Sequence, residues 1–324
     1  MRKIVCIILA FAIQSIQAQN LSGITHIPDT GFNLQAEIRK NIKKYPNITL
    51  EETYPSDSVI VQKDIVYKKI NGASLNMDVF LPGKNIPPKH IGIIFIHGGG
   101  WRSGNKTLHH ALAQKLASLG YTCFTPSYRL STDALYPAAV YDIKSSIRYV
   151  REHAKYYKIN KNKIVVGGHS AGGQLAALMG STNDDPKFKD PNEPSRTSDK
   201  VNAVIDIDGV LAFIHAESGE GDESNHPSAG TYWFGYTKTE RPDLWREASA
   251  LTHVDKNASP LLFFSSSVPR MHAGRNDYLQ QLKQYGIYAE AVEYSDAPHS
   301  FLFFNPWFEP MVESIDRFLT KVFN

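Results

Sequence analysis

The chain has 324 residues, 42% of them apolar and 21% charged, which suits one large folded α/β domain and excludes a disordered or low-complexity chain. Its 35 Lys and Arg face 32 Asp and Glu, and removing the two basic residues at the N-terminus leaves 33, too even a balance to attract nucleic acid or an anionic membrane. With Cys6 inside the N-terminal apolar run, Cys123 stands alone, so an intrachain disulfide and a cysteine-rich zinc site are both excluded.

Arg2-Lys3, the apolar run Ile4 to Ile13 and the small residue Ala18 follow the order of a cleaved secretory signal over residues 1–18. The mature protein is therefore expected in the periplasm or outside the cell, free of membrane once the signal is cut. Residues 19–60 carry several prolines around one short helical stretch, Asn33 to Lys44, and read as an arm that packs on the main domain without chemistry of its own. Residues 61–324 are expected to form the main domain. Asp64 to Ile70 and Leu75 to Leu81 are strands joined by the hairpin turn Asn71-Gly72. Ile91 to Ile96 is a continuous apolar run, as in a central parallel strand buried on both faces, and it leads into His97-Gly98-Gly99-Gly100-Trp101.

A helix over His109 to Leu119, a strand over Tyr121 to Pro126 and a helix over Tyr141 to Tyr156 follow. Cys123, in that strand, is expected to be a buried, inert thiol. Next come the strand Ile164 to Val166, the segment Gly168-His169-Ser170-Ala171-Gly172, and an apolar helix through Met179. Val201 to Asp208 is a further strand. Periodicity weakens over 211–259, which suggests a cap-like insertion above the site. Leu261 to Phe264, Asp277 to Tyr285, Tyr288 to Tyr294 and Phe308 to Phe323 complete an alternation of strands and helices, hence a doubly wound, mostly parallel sheet.

A strand, then a serine between glycines, then a helix is the context of a G-x-S-x-G nucleophile elbow. Five small residues can also merely cap a strand, so the rest of the chain has to decide. Gly98 to Gly100 follow a strand end, where bare backbone amides can turn toward Ser170; Gly99, Gly100 and the amide of Ala171 are the expected oxyanion hole. No Gly-Lys-Ser/Thr follows and the spacing is not G-x-G-x-x-G, which speaks against a phosphate-binding loop. The 12 histidines show no metal-ligand spacing, and His109, His110, His215, His226, His253 and His272 read mostly as surface or loop residues.

His-Gly-Gly-Gly-Trp, Gly-His-Ser-Ala-Gly and the late Ala297-Pro298-His299-Ser300-Phe301, in that order, resemble the α/β-hydrolase superfamily. His97 to Trp101 followed by Arg102-Ser103-Gly104 resembles its secreted bacterial acetylxylan- and feruloyl-esterase-like branch. The resemblance implies an α/β-hydrolase fold, an esterase needing no cofactor or metal, Ser170 as nucleophile and His299 as general base and acid. The chain departs from the pattern where most relatives carry an aspartate after the strand at Leu261 to Phe264; here stands Ser265-Ser266-Ser267. Asp208, ending the preceding strand, is the preferred acid and Asp277 the alternative. Asp206 lies deeper on the same strand face, and Asp296 reads as a turn residue.

Val268 to Asp277 occupies the place of the missing acid loop and brings Arg270 and Arg275 near the substrate. Their planar forks suit a polysaccharide carboxylate, unless each is spent on a neighbouring acid. This segment resembles a carbohydrate-esterase group that includes pectin methylesterases. The expected partner is a polysaccharide or oligosaccharide ester, with pectin methyl ester first, an acetyl ester on xylan or pectin second, and a non-catalytic carbohydrate-binding protein as the reading of another class. Trp101, Tyr232, Trp233 and Trp307 are candidates to stack on sugar rings or to fill the core, the core being favoured for Trp307.

Overall fold

The computed structural model describes residues 22–53, 57–70, 72–222 and 226–324. The signal expected over 1–18, and Asn71 of the hairpin turn, lie outside the described residues.

The main sheet is built on apolar runs that feed both of its faces. In β4 (Gly92–Ile96) every residue is buried; Ile94 and Ile96 enter one core cluster, Ile93 and Phe95 the other. Such two-sided burial is what a continuous apolar strand requires, because successive side chains point to opposite faces. The antiparallel hairpin of β2 (Val59–Ile70) and β3 (Ala73–Pro82) forms one edge. With β5 (Thr122–Pro126), β6 (Ile164–His169), β7 (Ala203–Ile207), β8 (Leu261–Ser265) and β9 (Ala289–Glu293), the sheet has eight strands in the order β2-β3-β5-β4-β6-β7-β8-β9. From β5 to β9 all pairings are parallel.

Helix α3 (Ala138–Glu152) and helix α4 (Ala171–Ser181) pack on one face, while α2 (His110–Ser118) and α8 (Phe308–Phe323) cover the other. This is the doubly wound, mostly parallel sheet expected. The stretch 211–259 contains two six-residue helices that periodicity did not reveal, α5 (Ala229–Phe234) and α6 (Pro242–Glu247). Their Trp233, Phe234 and Trp245 are buried in an aromatic cluster with Phe213 and Trp101. Helix α7 (Arg275–Gln284) follows β8.

The N-terminal arm contributes α1 (Leu34–Asn41) and β1 (Thr49–Leu50), shorter than the helix expected over 33–44. β1 pairs antiparallel with β10 (Phe304–Asn305), just beyond the loop that carries His299. Asn33 begins α1 as an N-cap, its side chain accepting from the Ala36 amide at 2.9 Å. Further back, the Phe32 amide donates to Ser103 Oγ at 2.9 Å, and Ser103 Oγ donates to the Asp29 carbonyl at 2.9 Å. The arm is thereby strapped to the glycine loop on one side and to the His299 loop on the other.

Candidate active site

Ser170 sits between β6 and α4 with φ 57° and ψ −121°, a strained conformation for a residue with a side chain. The surroundings impose it. A Cβ on Gly172 would lie 2.0 Å from the Ile96 carbonyl oxygen, and one on Gly168 would lie 2.2 Å from that of Gly172. Only glycines let the helix close this tightly on the strands, and that closure turns the serine out into a cavity of about 240 Å³ at the carboxyl edge of the sheet.

His299, in the loop after β9, borders the same cavity. Its Nδ1 lies 2.5 Å from Asp208 Oδ2. A carboxylate accepts, so Nδ1 carries the proton and Nε2 is left as the ring's basic nitrogen. Asp208 follows β7 in a left-handed conformation, φ 57°, and is fully buried. Ser266 grips it twice, its amide donating to Oδ1 at 2.9 Å and its hydroxyl to Oδ2 at 2.5 Å. His272 Nε2 approaches Oδ1 at 3.4 Å. Burial by itself would raise the Asp208 pKa; the two imidazoles and the Ser266 hydroxyl overcome it and hold the carboxyl well below the usual carboxylate range.

His169, next to the serine, donates from Nε2 to the His299 carbonyl at 2.9 Å and packs against its ring, centroids 4.6 Å apart. Burial keeps His169 neutral, its pKa far below the ordinary value. It therefore fixes the His299 backbone without adding charge to the site. Gly99, Gly100 and Ala171 all line the cavity. Among the described residues the amides of Gly99 and Gly100 donate to no backbone acceptor, and that of Ala171, first in α4, has none within its helix. Gly99 has φ 117°, and a Cβ there would lie 2.2 Å from the Ser103 carbonyl oxygen, so the loop's path needs glycine.

The other candidate acids are placed elsewhere. Asp277 is 58% exposed, 3.5 Å from His215 and away from His299. Asp206 is buried beneath the elbow, its Oδ1 accepting from the Gly209 amide at 2.7 Å, and burial pushes its pKa far up, which keeps it a neutral acid. Asp296 accepts from the Trp307 indole at 3.3 Å.

Two expected substrate contacts are corrected. Arg275 does not line the cavity: as the first residue of α7 it turns back to donate to Ser265 Oγ at 2.6 Å and lies 3.7 Å from Glu293. Trp101 borders the cavity but is 3% exposed, stacked on Trp233 with centroids 4.8 Å apart, its indole N–H donating to Gln174 Oε1 at 2.9 Å. No ring face remains for a sugar, and Trp233 and Trp307 are core residues too. Tyr232 lies under the Arg102 guanidinium. Arg270 does reach the cavity, paired with Glu220 at 3.3 Å.

Several residues had no sequence signal. The arm, expected to carry no chemistry, lends Phe32, Glu37 and Lys40 to the cavity wall. Ser266 was legible only as part of a missing acid. Two histidines read as surface residues are otherwise placed: His109 is buried and donates from Nε2 to the Ile96 carbonyl at 3.0 Å, while His272 faces Asp208. Cys123 is buried as expected, and burial pushes its thiol pKa up.

Comparison with known proteins extends these observations. The family model BD-FAE matches residues 77–271. The chain is similar to Esterase LipC of Mycobacterium tuberculosis, 30% identical over 57% of this chain and 46% of that protein. The carboxylic ester hydrolase LipM of the same organism is 31% identical over 60% of this chain and 46% of its own. The chain thus spans about half the length of the curated relatives it matches. Esterase 2 of Thermogutta terrifontis superposes with a TM-score of 0.67 at 26% identity, covering 84% of this chain and 98% of that one. A carbohydrate esterase from gut microbiota, at 23% identity and a TM-score of 0.66, shares the fold, covering 83% of this chain and 100% of that one. The fold is that of the α/β-hydrolase esterases.

Proposed function

Since the chain belongs to the BD-FAE family, we propose that it is a serine-dependent carboxylic ester hydrolase acting on small esters carried by carbohydrate. The observation that carries the reading is the 2.5 Å contact of His299 with buried Asp208 at the cavity into which the strained Ser170 is turned.

In this reading His299 Nε2 takes the Ser170 proton as Oγ attacks the ester carbonyl. The oxygen gains charge facing the amides of Gly99, Gly100 and Ala171. Collapse breaks the bond to the alkoxy oxygen, which leaves as the alcohol with the proton from His299. Water then attacks the acyl-serine, again giving its proton to His299, and the acid departs as Ser170 is restored. Asp208 holds the tautomer and balances the imidazolium.

A cavity of about 240 Å³ suits a short acyl group with part of one sugar ring. With Arg275 turned away, Arg270 paired to Glu220 and Lys40 3.8 Å from Glu37, the cations of the wall are matched by its own carboxylates rather than left for a polyuronate. An acetyl-type ester on a neutral sugar is therefore the better fit. Exposed Arg270 favours the second reading, a uronate methyl ester. The basic-then-apolar start of the chain supports export to the periplasm or beyond.

The test assays p-nitrophenyl acetate, acetylxylan and methylated polygalacturonate with wild type and Ser170→Ala. Expected are turnover that Ser170→Ala lowers by at least about a thousandfold and acetate release exceeding methanol release. Methanol alone would move the assignment to the methyl ester. No turnover above the variant on any ester would leave a non-catalytic carbohydrate binder.

A further inference from the structure

We propose that Glu37, carried by the N-terminal arm, recognises the sugar of the substrate by accepting hydrogen bonds from its free hydroxyl groups. This rests on the carbohydrate-ester reading above and names the residue that would select the alcohol side of that ester.

A glutamate in the first turn of a helix needs no ligand to explain it, since it complements the helix N-terminus and pairs with a lysine one turn on. A glutamate with only that role ordinarily stands in open solvent. Glu37 is 8% exposed and borders the Ser170 cavity. Among the described residues its carboxylate accepts no hydrogen bond. Its one ionic neighbour is Lys40 Nζ at 3.8 Å, on a side chain 71% exposed to solvent. With no protein donor on them, its oxygens are open to accept from a hydroxyl that enters the cavity.

The arm also keeps Glu37 in place. Asn41, at the other end of α1, donates from Nδ2 to Ser300 Oγ at 3.2 Å, next to His299. Phe32, just ahead of the helix, is bonded to Ser103 and stacks on His169 with centroids 6.2 Å apart. Glu37 is thus held between the loop that carries the base and the loop that carries the oxyanion glycines. The wall also carries Glu220, 14% exposed and already engaged by Arg270. With Lys40 and Arg270 at the more exposed positions, the wall has no net charge but offers acceptors. A neutral polyol fits such a wall; a polyanion meets a buried carboxylate with no compensating cation in hydrogen-bond reach.

The test compares two acetyl esters with the same single scissile group, methyl β-xyloside monoacetate and its di-O-methyl ether, by initial rates on wild type and the isosteric Glu37→Gln variant. The ratio of kcat/KM for the monoacetate to that for its di-O-methyl ether is expected to fall about tenfold in the variant, mainly through KM. An equal fall on both esters, or none on either, overturns the proposal. A second measurement needs no variant: methyl β-xyloside should compete with p-nitrophenyl acetate on wild type, and its permethylated analogue should not. Equal inhibition by the two overturns the proposal as well. Failure of the underlying reading shows differently, as wild type that turns over p-nitrophenyl acetate but neither sugar ester.

Discussion

Asp208 stays ionised in a fully buried position because three donors meet its two oxygens, the Ser266 amide and hydroxyl and His299, with the His272 imidazole 3.4 Å from Oδ1. In the proposed mechanism the carboxylate must face the imidazolium that forms each turnover. Asp208→Asn should lower kcat/KM for p-nitrophenyl acetate by about 10⁴, whereas Asp277→Asn should stay within about twofold; the reverse ranking would reassign the acid. Ser170, His299 and the preference for Asp208 were legible because elbow, loop order and strand ends are written locally in the chain. What holds Asp208 was not. Ser265-Ser266-Ser267 reads as the absence of a carboxylate, and only the fold shows Ser266 as its clamp. Arg275 and Trp101 were misread for a related reason. Whether an arginine or a tryptophan faces substrate depends on remote partners, here Glu293 for one and Trp233 for the other.

At the scale of elements, the contact between α4 and β4 is the tightest constraint on the site. A methyl group at Gly172 would overlap a backbone carbonyl rather than a movable side chain. Gly172→Ala should therefore lower the urea midpoint by the equivalent of roughly 1–3 kcal/mol and reduce activity together with stability. An unchanged midpoint would show that the helix can shift without cost. The long strands and helices were legible because period-two and period-3.6 patterns persist over enough residues. α5 and α6, with six residues each, are too short to show a period. The arm's role was hidden for a different reason: α1 carries an ordinary helical sequence, and its importance comes from where it is tied.

Across the whole molecule, buried histidines govern the response to acid. Burial lowers His97 to about 4 and His109 to about 3, and brings His169 far below the ordinary value. His110 shifts the same way, burial outweighing its pairing with Asp78. Below pH ~6.5 the unfolded chain takes up protons that these folded imidazoles refuse, so each costs up to about 1.4 kcal/mol per pH unit as pH falls toward its folded value. Asp206 acts in the opposite sense, since the folded state keeps a proton the unfolded chain has lost above pH ~4. The imidazoles outnumber it, and stability should fall from pH 7 to pH 5. Urea denaturation at the two values checks this; an equal or higher midpoint at pH 5 would contradict it.

The strap formed by the arm also bears on the order in which the molecule is completed. Asn41 and Ser300 are 259 positions apart, and Thr49 pairs with Asn305. Contacts of such separation must wait for nearly the whole chain to be made and carry the largest closure entropy. The nucleophile's strand and helix are local neighbours and can form long before. A growing chain can thus form the elbow that carries Ser170 before the base that activates it and the rim around it, which close when its first and last segments meet.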